Sequence, residues 1–240
     1  LEEDRLVLFT GTPCQIAGLK SFLNKEYPNL LCQDIICHGV PSPLIWKKYV
    51  AYREKESGAK LEKMFFRHKK YGWKSFSVSF TYDNDIEYIK PHREDLYMKT
   101  FLTNYSLRPS CYRCEFKGVQ RISDITLADF WHVGTYAPDM YDENGVSLVF
   151  LHTSKAEKIF DLLKENMICK TVENKDVGLK NTPMVSSVIK PKKRKDFFKD
   201  ITDKDFEAVV LEYCKKSGEM SVKRMVKLVL NKIKKAVKNN

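Results

Sequence analysis

Apolar residues in this chain come in short runs, each broken by turn residues and followed by a stretch at helical spacing. Arg5 to Thr10 is rich in Leu, Val and Phe, GTP interrupts it, and Ile16, Leu19, Phe22 and Leu23 then recur with the 3.6-residue period of a helix. Leu30 to Ile36 repeats the apolar run, HGVPSP repeats the interruption, and Ile45, Trp46, Tyr49 and Val50 repeat the helical spacing. Two parallel strands joined by a helix cross over right-handedly in nearly all cases, so both strands end at one edge of the sheet, where ligands collect.

Between Lys60 and Pro91 the period changes to two. Phe76, Val78 and Phe80 alternate with Ser75, Ser77 and Ser79, and Asp83, Asn84 and Asp85 separate this run from Ile86 to Ile89, which predicts a β-hairpin. Glu94 to Leu107 has roughly helical spacing through Leu96, Phe101 and Leu102 and stops before Pro109. Val146 to Val172 reads as strand, helix, strand, with Ser154 and Glu157 matching a capping box, and Lys192 to Ile201 and Asp203 to Cys214 read as helices. Val222, Met225, Val226, Val229 and Ile233 place an apolar stripe on one more helix in the tail. The pattern predicts an α/β fold: a mixed sheet with flanking helices, a βαβ start, an inserted β-hairpin and a helical C-terminal extension. Residues 1–185 are the expected main domain and residues 186–240 the extension.

Charge modifies this picture mainly at the tail. The chain of 240 residues carries a formal charge of +11, yet Lys215 to Asn240 holds nine Lys or Arg against one acidic residue. The basicity therefore belongs to the last helix, as a solvated face or a docking face for an acidic protein or an anionic membrane surface, and nucleic-acid recognition is the weakest use for it. No apolar run approaches the ~18 residues of a membrane span. Seven cysteines, an odd number, with a CxxC pair and no leading signal segment, indicate a reducing compartment, read as the cytoplasm. A strand starting almost at once after Leu1 suggests that more chain belongs upstream.

The cysteines carry the chemistry. Cys14 falls in the first turn of a helix capped by Thr12 with Pro13 at its first position, where the helix dipole favours a thiolate. Cys37 opens CHGVPSP, in which Ser42 and Pro43 repeat the cap-and-proline arrangement, and Gly11 and Gly39 permit close backbone approach to a bulky group. Cys111 and Cys114 form the CxxC of CYRCEFKG, a spacing compatible with zinc, an iron–sulfur cluster or a redox dithiol. The four together make a candidate thiolate metal site, whereas Cys32, Cys169 and Cys214 lie in apolar patterns and read as core residues. Arg121, Ser123, Asp124 and Thr126, in a strand-like segment, offer donors and acceptors for a phosphate, ribose or ring edge, with an Arg121–Asp124 ion pair as the alternative use of two of them. His38 is either a tuner or proton shuttle at the cluster or a structural loop histidine, and Trp73 and Lys74 either line a cofactor or pack beside the hairpin.

GTPCQIAGL, CHGVPSP and CYRCEFKG leading into RISDITLADFW, in that order, resemble the C-terminal domain of the coenzyme F-420 hydrogenase/dehydrogenase beta subunit family over approximately residues 6–175. The resemblance implies an iron–sulfur flavoprotein carrying FAD and a 4Fe-4S cluster, moving electrons between iron–sulfur centres and a two-electron small-molecule substrate. It implies Cys14, Cys37, Cys111 and Cys114 as the cluster ligands, and a ferredoxin-type carrier or module as partner. Thr12, Gln15, Lys117, Arg121, Ser123, Asp124 and Thr126 are the expected flavin contacts. Where the family places glycines around its DFW run, this chain has Ala128 and His132. The competing expectation is a zinc-stabilised, non-enzymatic domain that docks a partner through its basic tail.

Overall fold

The opening strand–helix–strand pattern folds as the spacing predicts. In the computed structural model, which describes residues 1–173 and 182–215, β1 (Val7–Thr10), α1 (Pro13–Leu23) and β2 (Leu30–Ile35) form a parallel crossover. Next come α2 (Pro43–Ser57), β3 (Leu61–His68), β4 (Ser77–Tyr82), β5 (Glu87–Pro91) and α3 (Leu96–Leu102). They are followed by β6 (Ile125–Asp129), α4 (Val133–Tyr136), β7 (Ser147–Leu151) and α5 (Ser154–Leu163). The described part ends with α6 (Thr182–Val185), α7 (Arg194–Asp203) and α8 (Phe206–Tyr213).

One sheet has the order β1-β2-β6-β7, parallel across its first three strands and antiparallel between β6 and β7. The other is an antiparallel sheet of order β3-β4-β5. The mixed sheet and the α/β class are as expected, but the hairpin has gained a third strand. β3 escapes the period-two pattern because its register shifts twice against β4, between Leu61 and Lys63 and between Phe65 and His68, and each irregularity resets which side chain faces in.

Helix ends follow local chemistry. α1 stops at Asn24 and α2 at Gly58, both in the left-handed conformation that ends helices, and Ser42 Oγ caps α2 at Leu44 N. α3 is shorter than the Glu94 to Leu107 pattern because Asp95 caps it and Asn104, at φ 67°, ends it. The cap of α5 is Thr153 rather than Ser154, its Oγ1 accepting from Ala156 N. The second strand expected before Val172 is absent among the described residues, where Lys164–Asn166 form a short 3-10 turn instead. Phe22 is 86% exposed, since six residues place it about 120° around the helix from the buried Ile16.

The largest core joins α2 (Ile45, Tyr49), β4 (Val78, Phe80, Tyr82) and α3 (Tyr97, Met98) to α7 (Phe197, Ile201) and α8 (Val209, Val210). The helices of residues 186–215 thus share the core of the three-stranded sheet. A smaller core of Ile16, Leu30 and Cys32 sits between α1 and β2. Cys32 and Cys214 are core residues as read from sequence, but Cys169 is exposed. The basic tail helix lies outside the described residues. Among the described residues no helix is long and apolar enough to cross a membrane.

Candidate functional site

Three loops carry the four cysteines. Cys14 is exposed in the first turn of α1, its Sγ 3.1 Å from Thr12 Oγ1. Cys37 is half-buried where β2 runs out, Cys111 lies within the 3-10 turn Pro109–Arg113, and Cys114 caps the end of that turn. The thiols are close enough to act on one another. Burial pushes the Cys37 thiol up, Lys117 opposes the shift, and the neighbouring Cys111 and Cys14 add to it. Lys117 in turn is pushed down by its own burial and held up by Cys37, Cys114 and Cys111. Cys37 thus feels Cys14, Cys111 and Lys117, and Lys117 feels Cys37, Cys111 and Cys114. Among the described residues no three His, Cys, Asp or Glu side chains are arranged to hold a metal ion.

The neighbourhood is built from backbone donors and tight packing. Val40 N donates to Cys111 Sγ at 3.3 Å, and Gly39 N donates to Cys37. Gly39 sits at φ 155°, and a Cβ there would stand 2.9 Å from Leu107 Cδ1 and 3.4 Å from Cys111 Cβ. Only glycine lets the Cys37 loop lie this close to the CxxC loop. Lys117 Nζ donates to the carbonyls of Cys37 and Pro183, tying β2 to α6 beneath the cysteines. Ser187 Oγ accepts from Cys114 N at 2.9 Å, and Arg194, at the start of α7, donates to Tyr112 Oη and to Leu107 O. Ser187 and Arg194 were missed in the sequence. Ser187 lies 73 positions beyond Cys114 and Arg194 lies 82 beyond Tyr112, and no local spacing announces such contacts.

His38 Nε2 lies 2.8 Å from Asn104 Oδ1 and its ring packs 4.8 Å from Phe101. Burial pushes the imidazole down, and the bond to Asn104 opposes that shift. Beside it opens a cavity of about 850 Å³ between the two sheets, bordered by His38, Phe66, Arg67, Lys74, Arg93 and Trp131. Its size suits a cofactor-scale ligand. Trp131 stacks on the buried Trp73 with centroids 5.0 Å apart and rings within 3° of parallel, while Trp73 Nε1 and Arg67 both donate to Asp129. Trp73 is thus both packing and support for the cavity wall. Lys74 reaches over Tyr141 at the cavity rim.

The residues expected to touch a flavin do not line this cavity. Thr12 N and Oγ1 both donate to Gln15 Oε1 at the head of α1. Asp124 accepts from Cys32 N and Thr153 Oγ1 and pairs with Lys155 at 3.4 Å. Arg121 pairs not with Asp124 but with Asp34, at 3.7 Å, the two side chains 2% and 0% exposed. Thr126 bonds Asp34 and His152, and Ser123 is buried. These groups form an internal polar seam across β2, β6 and β7. A second cavity, of about 1100 Å³, borders β7 and contains His152, Phe150 and Cys169 in its wall.

The model of one protein family, described as the C terminus of the coenzyme F420 hydrogenase/dehydrogenase beta subunit, matches residues 4–177. Comparison with curated proteins gives no match.

Proposed function

The chain belongs to the coenzyme F420 hydrogenase/dehydrogenase beta subunit family, a family of oxidoreductase-type subunits, and from that premise we propose that it is an iron–sulfur flavoprotein passing electrons between a 4Fe-4S cluster and a two-electron substrate through FAD. The observation that carries this reading is the coupling of Cys37 to Cys14 and Cys111, and of Lys117 to Cys37, Cys111 and Cys114, beside a cofactor-sized cavity. Four cysteines with backbone N–H groups turned to sulfur and an ammonium beside them form a donor set that fits a cluster. Four thiolates can also hold zinc, and the oxidoreductase character of the family favours the cluster.

When bound, the cluster supplies one-electron chemistry and the flavin both one- and two-electron chemistry. The chain's own residues do the rest. Cys14, Cys37, Cys111 and Cys114 would ligate the cluster; Val40 N and Gly39 N donate to sulfur, and the Lys117 ammonium offsets thiolate charge. The cavity beside His38, with Trp131 in its wall, would hold FAD, and Lys74 and Arg93 would supply positive charge for its diphosphate while Arg67 stays paired with Asp129. Lys117, Arg121, Ser123, Asp124 and Thr126 instead support the frame from inside. A ferredoxin-type carrier exchanges electrons at the exposed Cys14 face, and the reaction runs in the cytoplasm. Cys111→Ser tests the ligand assignment: iron content falls sharply after anaerobic reconstitution, and full iron retention contradicts it.

A further inference from the structure

Asp34, on β2, is fully buried three residues before Cys37. Its Oδ2 has no hydrogen-bond partner, and neither do Nε and Nη2 of the adjacent buried Arg121. Oδ2 instead faces Arg121 Nη1 at 3.7 Å, so charge rather than a hydrogen bond holds that side of the carboxylate. Asp34 Oδ1 accepts from Thr126 Oγ1, its register neighbour on β6. Thr126 Oγ1 also lies 2.9 Å from Nε2 of His152, just past β7. His152 opens onto the large cavity on the β7 side. Arg121 at the inner end acts on Lys117, which is bonded to Cys37.

A threonine hydroxyl has one proton. With that proton given to Asp34, the oxygen can only accept from His152, which must carry hydrogen on Nε2. If Asp34 is protonated the polarity reverses: Asp34 donates to Thr126, Thr126 donates to a bare Nε2, and His152 carries hydrogen on Nδ1. The two arrangements differ by one proton and involve no heavy-atom movement.

We propose that His152, Thr126 and Asp34 form a proton relay from the β7 cavity to the interior beside the cysteine loops, serving the redox site; this last role rests on the function proposed above. A solvent proton binds His152 Nδ1, the Nε2 proton passes to Thr126, and the Thr126 proton passes to Asp34. The balance is one proton from solvent to the carboxylate, with no electron moved, and the reverse sequence resets the wire. His152 suits a conductor rather than a store, because burial pushes its imidazole down, opposed by Asp34 and Asp124 and reinforced by Arg121. Lys155 faces the same seam through Asp124.

The test is nitrogen NMR of the full chain labelled at histidine, which reads the His152 tautomer. With the Thr126 proton given to Asp34, the relay requires the Nε2–H form of neutral His152. Thr126→Val, close in size but without the hydroxyl, loses that preference while its circular dichroism stays native. An Nδ1–H tautomer in the wild type, or the same Nε2–H preference in Thr126→Val, overturns the relay. These readouts need neither iron nor flavin, so they stand apart from the cofactor reading. In protein carrying both cofactors, reduction at fixed pH inverts the tautomer in the wild type and not in Thr126→Val; an unmoved wild-type tautomer overturns the link to the redox site.

Discussion

Replacing Asp95 by alanine should loosen the wall of the cavity from a distance. Asp95 is fully buried and holds three donors: Met98 N at the head of α3, Tyr88 Oη, both at 2.9 Å, and the fully buried Tyr49 Oη. Alanine removes the helix cap, worth about 1 kcal/mol, and leaves the Tyr49 hydroxyl without an acceptor, a further penalty of about 2 kcal/mol. Tyr88 is only half-buried and can turn to water. The sum, about 3 kcal/mol, is a large share of the roughly 5–15 kcal/mol that holds a domain together. Urea unfolding followed by circular dichroism reads it directly. Asp95→Asn keeps the cap through its one oxygen and turns an amide N–H toward the Tyr49 hydroxyl, which can accept it, so it should lose less than half as much. The reasoning is refuted if the alanine variant stays within about 1 kcal/mol of wild type, below the cap term alone with error, or if Asn and Ala lose equally. Burial also holds the Asp95 carboxyl above its ordinary value of 3.8. The folded chain then binds this proton at higher pH than the unfolded one. Its contribution is fully present below 3.8 and is lost as pH rises through the folded value, so the gap between wild type and Asp95→Asn should change with pH across that window.

Histidines give the opposite slope. His38 and His152 are both pushed below 6.5 by burial, so their contribution is present above that pH and lost as it falls toward the folded values; a pH series of unfolding midpoints should decline there, and less steeply in His152→Gln. Thiol labelling of the metal-free chain, mapped by mass spectrometry, should modify exposed Cys14 and Cys169 first and leave buried Cys32 and Cys214 last, since burial pushes the Cys214 thiol up to about 11. Trp131→Ala should weaken flavin retention by about 1 kcal/mol, roughly fivefold, without changing iron content; unchanged flavin affinity would remove the stacking wall from the account.

The sequence made the first crossover and the cysteine loops readable because their signals are local: glycine, threonine or serine, and proline mark each helix start within a few residues of its cysteine. β3 was hidden because two register shifts destroy its alternation. The α5 cap was displaced by one residue because Thr153 and Ser154 offer the same hydroxyl, and only the backbone decides between them. Arg121 was read beside Asp124, three positions away, yet the chain delivers it to Asp34 across the sheet. The cavity was invisible for the same reason: His38, Phe66, Lys74, Arg93 and Trp131 converge from segments far apart in sequence. Local chemistry could be read in advance, whereas convergence depended on how the two sheets meet.

Iron, acid-labile sulfide and flavin determined together on anaerobically purified protein, alongside its visible spectrum, test the central claim most directly. The account predicts a brown chain with four irons and four sulfides, as the proposed cluster composition requires, and one FAD. A colourless chain holding one zinc and no flavin would contradict it.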